Sequence, residues 1–244
     1  MNQKAEKGKT KRRRSGLGNS LNKIFNSDSP IMRALSVAAD LLLVNLFTAV
    51  LCIPVVTIGP AFIAMHDIVI RIVRGEEGYI VKPYFQAFAA NFKQGALLSL
   101  VLAVAAAILY FDYLAALTYI PDLKVAIIAI AVIVLAIVLY AFALFARYEN
   151  TFGGTLKNAA ALAVGYFPRT LFMVVCAVGL WVLCIQFYQF GIPILLLFGF
   201  SLPCYVDVLM LKAVFRKLEG EEVEEDDENE DNNSKFLRKF YQKK

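Results

Sequence analysis

The sequence predicts an all-α protein, a polytopic transmembrane helical bundle. Three observations carry that expectation. The chain of 244 residues is 59% hydrophobic and only 18% charged, with a mean hydropathy of +0.61; soluble domains lie nearer half apolar and a quarter charged. Its charge is pushed to the ends, with ten of the 20 acidic residues inside residues 219–231 and seven of the 25 basic residues inside the first 14. Between the ends, apolar runs of about 20 residues alternate with short polar ones, which is the length a ~30 Å hydrocarbon core demands of a helix. A soluble helical core is the plainer alternative, but "GALLSLVLAVAAAILYF" has no polar face to offer water.

Taken in order, residues 1–20 form a basic arm, "KAEKGKTKRRRSG", expected to be disordered and cytoplasmic. Attraction to anionic lipid, ~1 kcal/mol per residue near the surface, accounts for it, so the lipid bilayer is the expected partner and nucleic acid is not. The transmembrane domain is expected over residues 21–218. Its first apolar run, residues 34–53, reads as a retained helix: it starts far from the N-terminus, exceeds a signal-peptide core in length and has no small-residue cleavage pattern after it. Pro54 and then Gly59-Pro60 force a turn. Four later runs, residues 95–117, 125–146, 170–187 and 192–211, each approach a full span. Residues 219–244 form an acidic and then basic tail, expected to be disordered and cytoplasmic.

The stretch between the first and second of these runs, "IGPAFIAMHDIVIRIVRGEEG", is apolar yet carries the single histidine, an aspartate and two arginines. Whether it crosses the membrane follows from the distribution of basic residues. Nine lie up to Arg33, four in residues 71–93, one in residues 118–124, three in residues 147–169, none in residues 188–191 and eight after Leu211. With five crossings, the basic arm and residues 71–93 fall on opposite sides. With six membrane segments every loop obeys the rule, and both termini are cytoplasmic. From Pro60 to Val73 a helix is only about 21 Å long, so either part of "PVVTI" lies at membrane depth or the segment is a short re-entrant one. An internal echo favours crossing: "RGEE" at Arg74 and "RYEN" at Arg147 each end an apolar segment, and "NFKQ" at Asn91 and "YFPR" at Tyr166 each open the next long one, at offsets of 73 and 75 residues. Chance resemblance competes with that reading on equal terms.

Two sets of residues are candidates for function. Ionisable groups at membrane depth are costly and mark candidate sites. Asp40, His66 and Asp67, with Asn45 as an uncharged companion, form a candidate intramembrane polar site, and Arg71 lies four residues after Asp67 in position to pair with it. Asp112 and Asp207 lie nearer span ends, where they are expected to reach water. For each of these the plainer reading is a satisfied interhelical hydrogen bond; a path for a small solute or proton is the sharper one. On the cytoplasmic side, Phe85, Phe88 and Phe92 recur on one helical face with Lys82, Tyr84 and Lys93 as a rim, which suits a short interfacial helix. Leu156, Ala160 and Ala163 suggest a second. With Arg74, Glu76, Glu77, Arg147, Glu149 and Arg169 they form a candidate partner-docking surface, the plainer reading being membrane anchoring alone.

No catalytic signature is present, neither a phosphate-binding loop, nor Gly-x-Ser-x-Gly, nor His-Glu-x-x-His. An enzyme is not expected, nor is a cofactor. A single histidine rules out a multi-histidine metal site, and Cys52, Cys176, Cys184 and Cys204 all sit in apolar segments as small buried hydrophobes, with no Cys-x-x-Cys pair.

Four blocks carry a resemblance. "NKIFNSDSPIMRALSVAADLLLVNLFTAVLCIPVVTIGPAF", "VRGEEGYIVKPYFQAFAANFKQG", "RYENTFGGTLKNAAALAVGYFPRT" and "FGFSLPCYVDVLMLKAVFRKLEGEE" together resemble the YesL-like bacterial membrane proteins, a family of unknown function common in Gram-positive bacteria. The basic arm and the acidic tail depart from it. The resemblance implies an accessory role in carbohydrate uptake or sensing, with an ABC transporter or a two-component sensor for sugars as partner; it supplies no site residues. A small-solute transporter and a ligand-free scaffold are the alternatives.

Overall fold

The computed structural model describes residues 30–76, 78–186 and 197–219. The basic arm, Glu77, the loop at residues 188–191, the first residues of the 192–211 run and most of the acidic tail lie outside the described residues. Among the described residues the chain is helical, with no strand. Its helices are α1 (Pro30–Leu51), α2 (Ile58–Arg74), α3 (Val81–Ala90), α4 (Phe92–Tyr119), α5 (Leu123–Arg147), α6 (Phe152–Gly165), α7 (Phe167–Gln186) and α8 (Ser201–Glu219), and a 3-10 turn, Val55–Thr57, precedes α2. The chain divides into two compact units at Leu42. The first contributes the opening turns of α1, with Asp40; the second begins at Leu43 and holds the end of α1 and α2 to α8.

Local sequence explains where the helices start. Pro30, Pro60, Pro83, Pro168 and Pro203 each fall within the first three residues of a helix. A proline costs least there, because its missing N–H would have no partner inside the helix. The end of α2 is equally local. Gly75 adopts φ +76, its N–H reaches the Ile72 carbonyl at 3.0 Å, and the Glu76 N–H reaches Arg71 at 3.1 Å. A left-handed glycine closing the last turn in this way needs no side chain.

Among the described residues, four helices are long and apolar enough to cross a membrane: Met32–Leu51, Val55–Arg74, Phe92–Tyr119 and Leu123–Arg147. A fifth crossing is available if α6 and α7, which meet at 100°, are taken as one broken span. The expected six segments are compatible with this set, the sixth being the run that ends in α8. The "IGPAF…" stretch thus belongs to a 20-residue path that begins at Val55. At 1.5 Å per α-helical residue and 2.0 Å per 3-10 residue that path is about 31 Å long, a full hydrocarbon thickness. The "PVVTI" residues supply the length that the helix after Pro60 lacks by itself.

This helix is also the centre of the packing. Of its best span window 56% is buried, against 6% for α4, and α2 packs against α3, α4, α5 and α8. In contrast, α4 exposes Val104, Ile108 and Phe111, an apolar surface that suits lipid and not water. The core joins Ile63 of α2 and Leu98 of α4 to Tyr140 and Leu144 of α5, Leu162 of α6 and Met173 of α7.

Helix α2 meets α4 at two glycines. A Cβ on Gly59 would collide with the Gly95 carbonyl, and one on Gly95 would lie 2.6–2.8 Å from the Pro60 backbone and ring. Backbones approach this closely in membrane helices only through small residues. Ser99, one turn beyond Gly95, completes the contact: the Gly59 N–H donates to its Oγ at 2.6 Å, and the Oγ lies 3.1 Å from the Gly95 carbonyl. The first-turn amide of α2 is therefore capped by a side chain of another helix. Asn45 does the same for α8, its Oδ1 accepting from the Phe200 and Ser201 amides at 2.8 and 3.0 Å. Where water is excluded, helix-end amides need such partners.

Two expectations are corrected. Phe85, Phe88 and Phe92 do not share one helix, because α3 ends at Ala90 and Phe92 opens α4. Asn91 makes the break, donating from its side-chain amide to the Ala87 carbonyl at 3.0 Å and so competing with the helical ladder. Tyr84 is no rim residue; it is fully buried, with its hydroxyl 2.9 Å from Thr48 and 3.3 Å from the Ala61 carbonyl. It ties α3 to α1 and α2, and burial pushes its phenol above the ordinary value, with the Thr48 hydrogen bond opposing.

Candidate functional site

The internal echo reappears as a repeat of element order. Arg74 and Arg147 end α2 and α5; the short helices α3 and α6 follow; Phe92 and Phe167 then open α4 and α7. The two arginines also meet in space. Together with Lys212 and Arg216 of α8 they line a cavity of about 300 Å³, walled on its apolar side by Val73, Val208 and Phe215. The C-terminal ends of α2 and α5 and the later half of α8 therefore lie on one side, as six alternating segments require of the second, fourth and sixth.

Arg147, Lys212 and Arg74 each make a specific contact. The Arg147 guanidinium stands 4.9 Å from the centre of the Phe215 ring and 6.0 Å from that of Tyr148, a cation–π arrangement. Lys212 Nζ donates to the Val73 carbonyl at 3.4 Å, one of the last carbonyls of α2. Arg74 pairs with Glu76 at 3.7 Å, both about half exposed. Positive charge at helix C-termini is favourable by itself, so part of this cluster is plain complementation of α2 and α5. What complementation leaves unaccounted for is the convergence of four cations on one concavity.

Beside it, the two connecting regions touch. Gln94 at the start of α4 donates to the Asn150 carbonyl at 3.3 Å, next to Glu149, which is exposed. Phe85 and Phe92 are 45% and 40% exposed, and Phe88 stacks edge-on to Phe92 at 5.7 Å. Of the docking residues expected from sequence, Arg74 and Arg147 share the cavity and Glu76 pairs beside it. Arg169 sits elsewhere, its guanidinium 5.3 Å from the Tyr166 ring centre at the start of α7. Lys212 and Arg216 were missed by sequence reading, although "LKAVFRK" places them four apart on one helical face.

Of the polar residues at membrane depth, Asp67, His66 and Asn45 each make a separate local contact. Asp67 pairs with Arg71 at 3.1 Å, as their spacing predicts. His66 is buried with its Nδ1 2.8 Å from the Phe62 carbonyl; a carbonyl only accepts, so Nδ1 carries the proton and Nε2 is left as an acceptor, buried with no hydrogen-bond partner. Asn45 caps α8, and Asp40 is half-buried on α1. Asp207 corrects the expectation that it reaches water. It is 1% exposed, because α8 turns that face inward with Cys204 and Leu211, and its Oδ1 has no hydrogen-bond partner. Asp112 is exposed. At the bend between α6 and α7, the Thr170 hydroxyl lies 2.9 and 3.1 Å from the Ala163 and Tyr166 carbonyls and 3.0 Å from the Tyr140 hydroxyl. It thus adds a side-chain donor at the bend, where the Tyr166 carbonyl also accepts from the Arg169 and Thr170 amides at 3.0 Å.

The model of one family matches the chain over residues 40–113, and that family is described as "Protein of unknown function, DUF624". The match runs from α1 to within α4 and so includes the Gly59–Gly95–Ser99 contact, the Tyr84 tie and Arg74. No curated protein and no solved structure matches the chain.

Proposed function

We propose that this chain is a multi-pass protein of the plasma membrane, with both termini in the cytoplasm, that serves as a non-enzymatic accessory subunit. The observation that carries the reading is the convergence at one end of the helices. Residues 74–94 and 147–169, far apart in sequence, meet there through the Arg74–Arg147 cavity and the Gln94–Asn150 bond. Phe85, Phe92, Glu76 and Glu149 of these two regions are all exposed. A mixed aromatic and charged surface of this kind suits a protein partner at the membrane face. The YesL-like resemblance supplies the class of partner, a sugar-uptake ABC transporter or a two-component sugar sensor, and with it a role in carbohydrate uptake or sensing.

Two outcomes are expected. In whole cells, with the native cysteines replaced, single reporters at Thr57 and Thr118 should react with a membrane-impermeant thiol reagent, and one at Gly78 should not. Labelling at Gly78 from outside would place the surface on the wrong face and end the docking reading. In mild detergent, the protein should co-purify with such a transporter or sensor. The double change Glu76→Lys and Glu149→Lys should lower recovery of that partner at least tenfold with the elution profile unchanged; undiminished recovery would sink the assignment of this surface.

A further inference from the structure

We propose that the cavity between α2, α5 and α8 binds a phosphate group, carried by an anionic phospholipid of the adjoining leaflet. Four cationic side chains, Arg74, Arg147, Lys212 and Arg216, line about 300 Å³, while the Arg74–Glu76 pair brings one carboxylate to its edge. Cationic side chains gathered around one concavity attract an anion to it. Guanidinium forks match phosphate oxygens in pairs, and a lysine adds a compact point charge. The volume is at the lower end of small-ligand pockets, ~300–1,000 Å³, which suits a headgroup and not a large cofactor.

The apolar wall argues for lipid as the source. Ile70, Val73 and Val208 lie on the same cavity as the cations, and α2 and α5 are membrane-length helices that end there. The site thus stands at the level where a span leaves the hydrocarbon, with charge toward the headgroups and apolar side chains toward the acyl chains. Basic recesses between membrane helices take anionic headgroups in this way. Arg147 is held in place against Phe215, so one donor is positioned before the ligand arrives. The inference rests on the membrane placement of these helices but not on partner docking. Undiminished partner recovery in the Glu76→Lys and Glu149→Lys protein, with lipid binding intact, would remove only the docking reading.

The test uses the full chain, purified in mild detergent, stripped of lipid and returned to nanodiscs of phosphatidylcholine with or without phosphatidylglycerol. Native mass spectrometry of the released protein counts retained lipid, and a thermal melt follows the same series. The expected result is one phosphatidylglycerol retained per chain and a melting temperature raised by it. The double change Lys212→Gln and Arg216→Gln, both at exposed side chains, should weaken retention at least tenfold. Arg147→Gln should do the same, and where it lowers the yield of folded protein the α8 pair decides. Lys124→Gln, exposed at the opposite end of α5 from Arg147, should leave retention unchanged. Equal retention of phosphatidylcholine, or equal loss in the Lys124 variant, would overturn the proposal. Saturable binding of inorganic phosphate without selectivity for the anionic lipid would overturn the lipid source.

Discussion

Replacing Gly95 by leucine is expected to abolish the folded protein, and even alanine should be costly. The reason is that the atom opposite is backbone. A Cβ at Gly95 would lie 2.6 Å from the Pro60 nitrogen and 2.8 Å from its Cα, and neither can rotate away as a side chain does. Either α2 and α4 separate, or the chain bends at Pro60. Separation also removes Ser99 from the Gly59 amide, now 2.6 Å away, leaving a buried donor without a partner. Overpacking a well-filled interior costs typically 1–3 kcal/mol, and an unsatisfied buried amide a further ~1–3 kcal/mol. For Gly95→Ala we expect a loss on the order of 3 kcal/mol, roughly 6–12 °C in melting temperature for a chain of this size. Fluorescence-detected size-exclusion after graded heating reads it directly. A Gly95→Ala protein that elutes and melts like the parent would show that the two helices are not held at this distance.

Asn45→Leu is the second change with a large expected effect. The shape is nearly kept, but the acceptor serving the Phe200 and Ser201 amides is lost. Asn45 and Ser201 are both fully buried, so water does not replace the bond. Two orphaned amides at ~1–3 kcal/mol each give an expected loss of about 2–6 kcal/mol, concentrated at the start of α8. Asn45→Asp keeps an acceptor and places negative charge at a helix N-terminus, where it is favourable, so it should be milder than leucine. A melt combined with limited proteolysis around residue 200 separates the cases. Equal stability of Asn45→Leu and the parent would exclude the capping role.

The two changes share a cause. A helix that begins inside an apolar surrounding carries amides with no partner of its own. In this chain neighbouring helices supply the acceptors, Ser99 for α2 and Asn45 for α8. These contacts join segments 40 and more than 150 residues apart, so no local pattern announces them. A hint existed for one: Gly95 and Ser99 are small residues four apart on an apolar helix, a spacing that suits close helix contact. Asn45 stood out only as a polar residue in an apolar run, and it was grouped with Asp40, His66 and Asp67. The structure gives it a different partner because a lone amide in lipid binds whichever backbone groups the fold brings to it.

The sequence by itself determined the helical class, the positions of the apolar spans, the end of one apolar segment at "RGEE" and the pairing of Asp67 with Arg71. Each depends on composition or on spacing within a turn or two of one helix. The repeat of element order was also legible, in the matched arginines and aromatic openings of its two halves. Only the tertiary structure decided that the stretch from Val55 to Arg74 is the packing centre, that Tyr84 and Asp207 are buried, and that Lys212 and Arg216 join Arg74 and Arg147 around one cavity. Apolar periodicity tells how a helix differs from water or lipid. It does not tell which other helix covers it, because in a membrane protein the side facing lipid and the side facing protein are equally apolar.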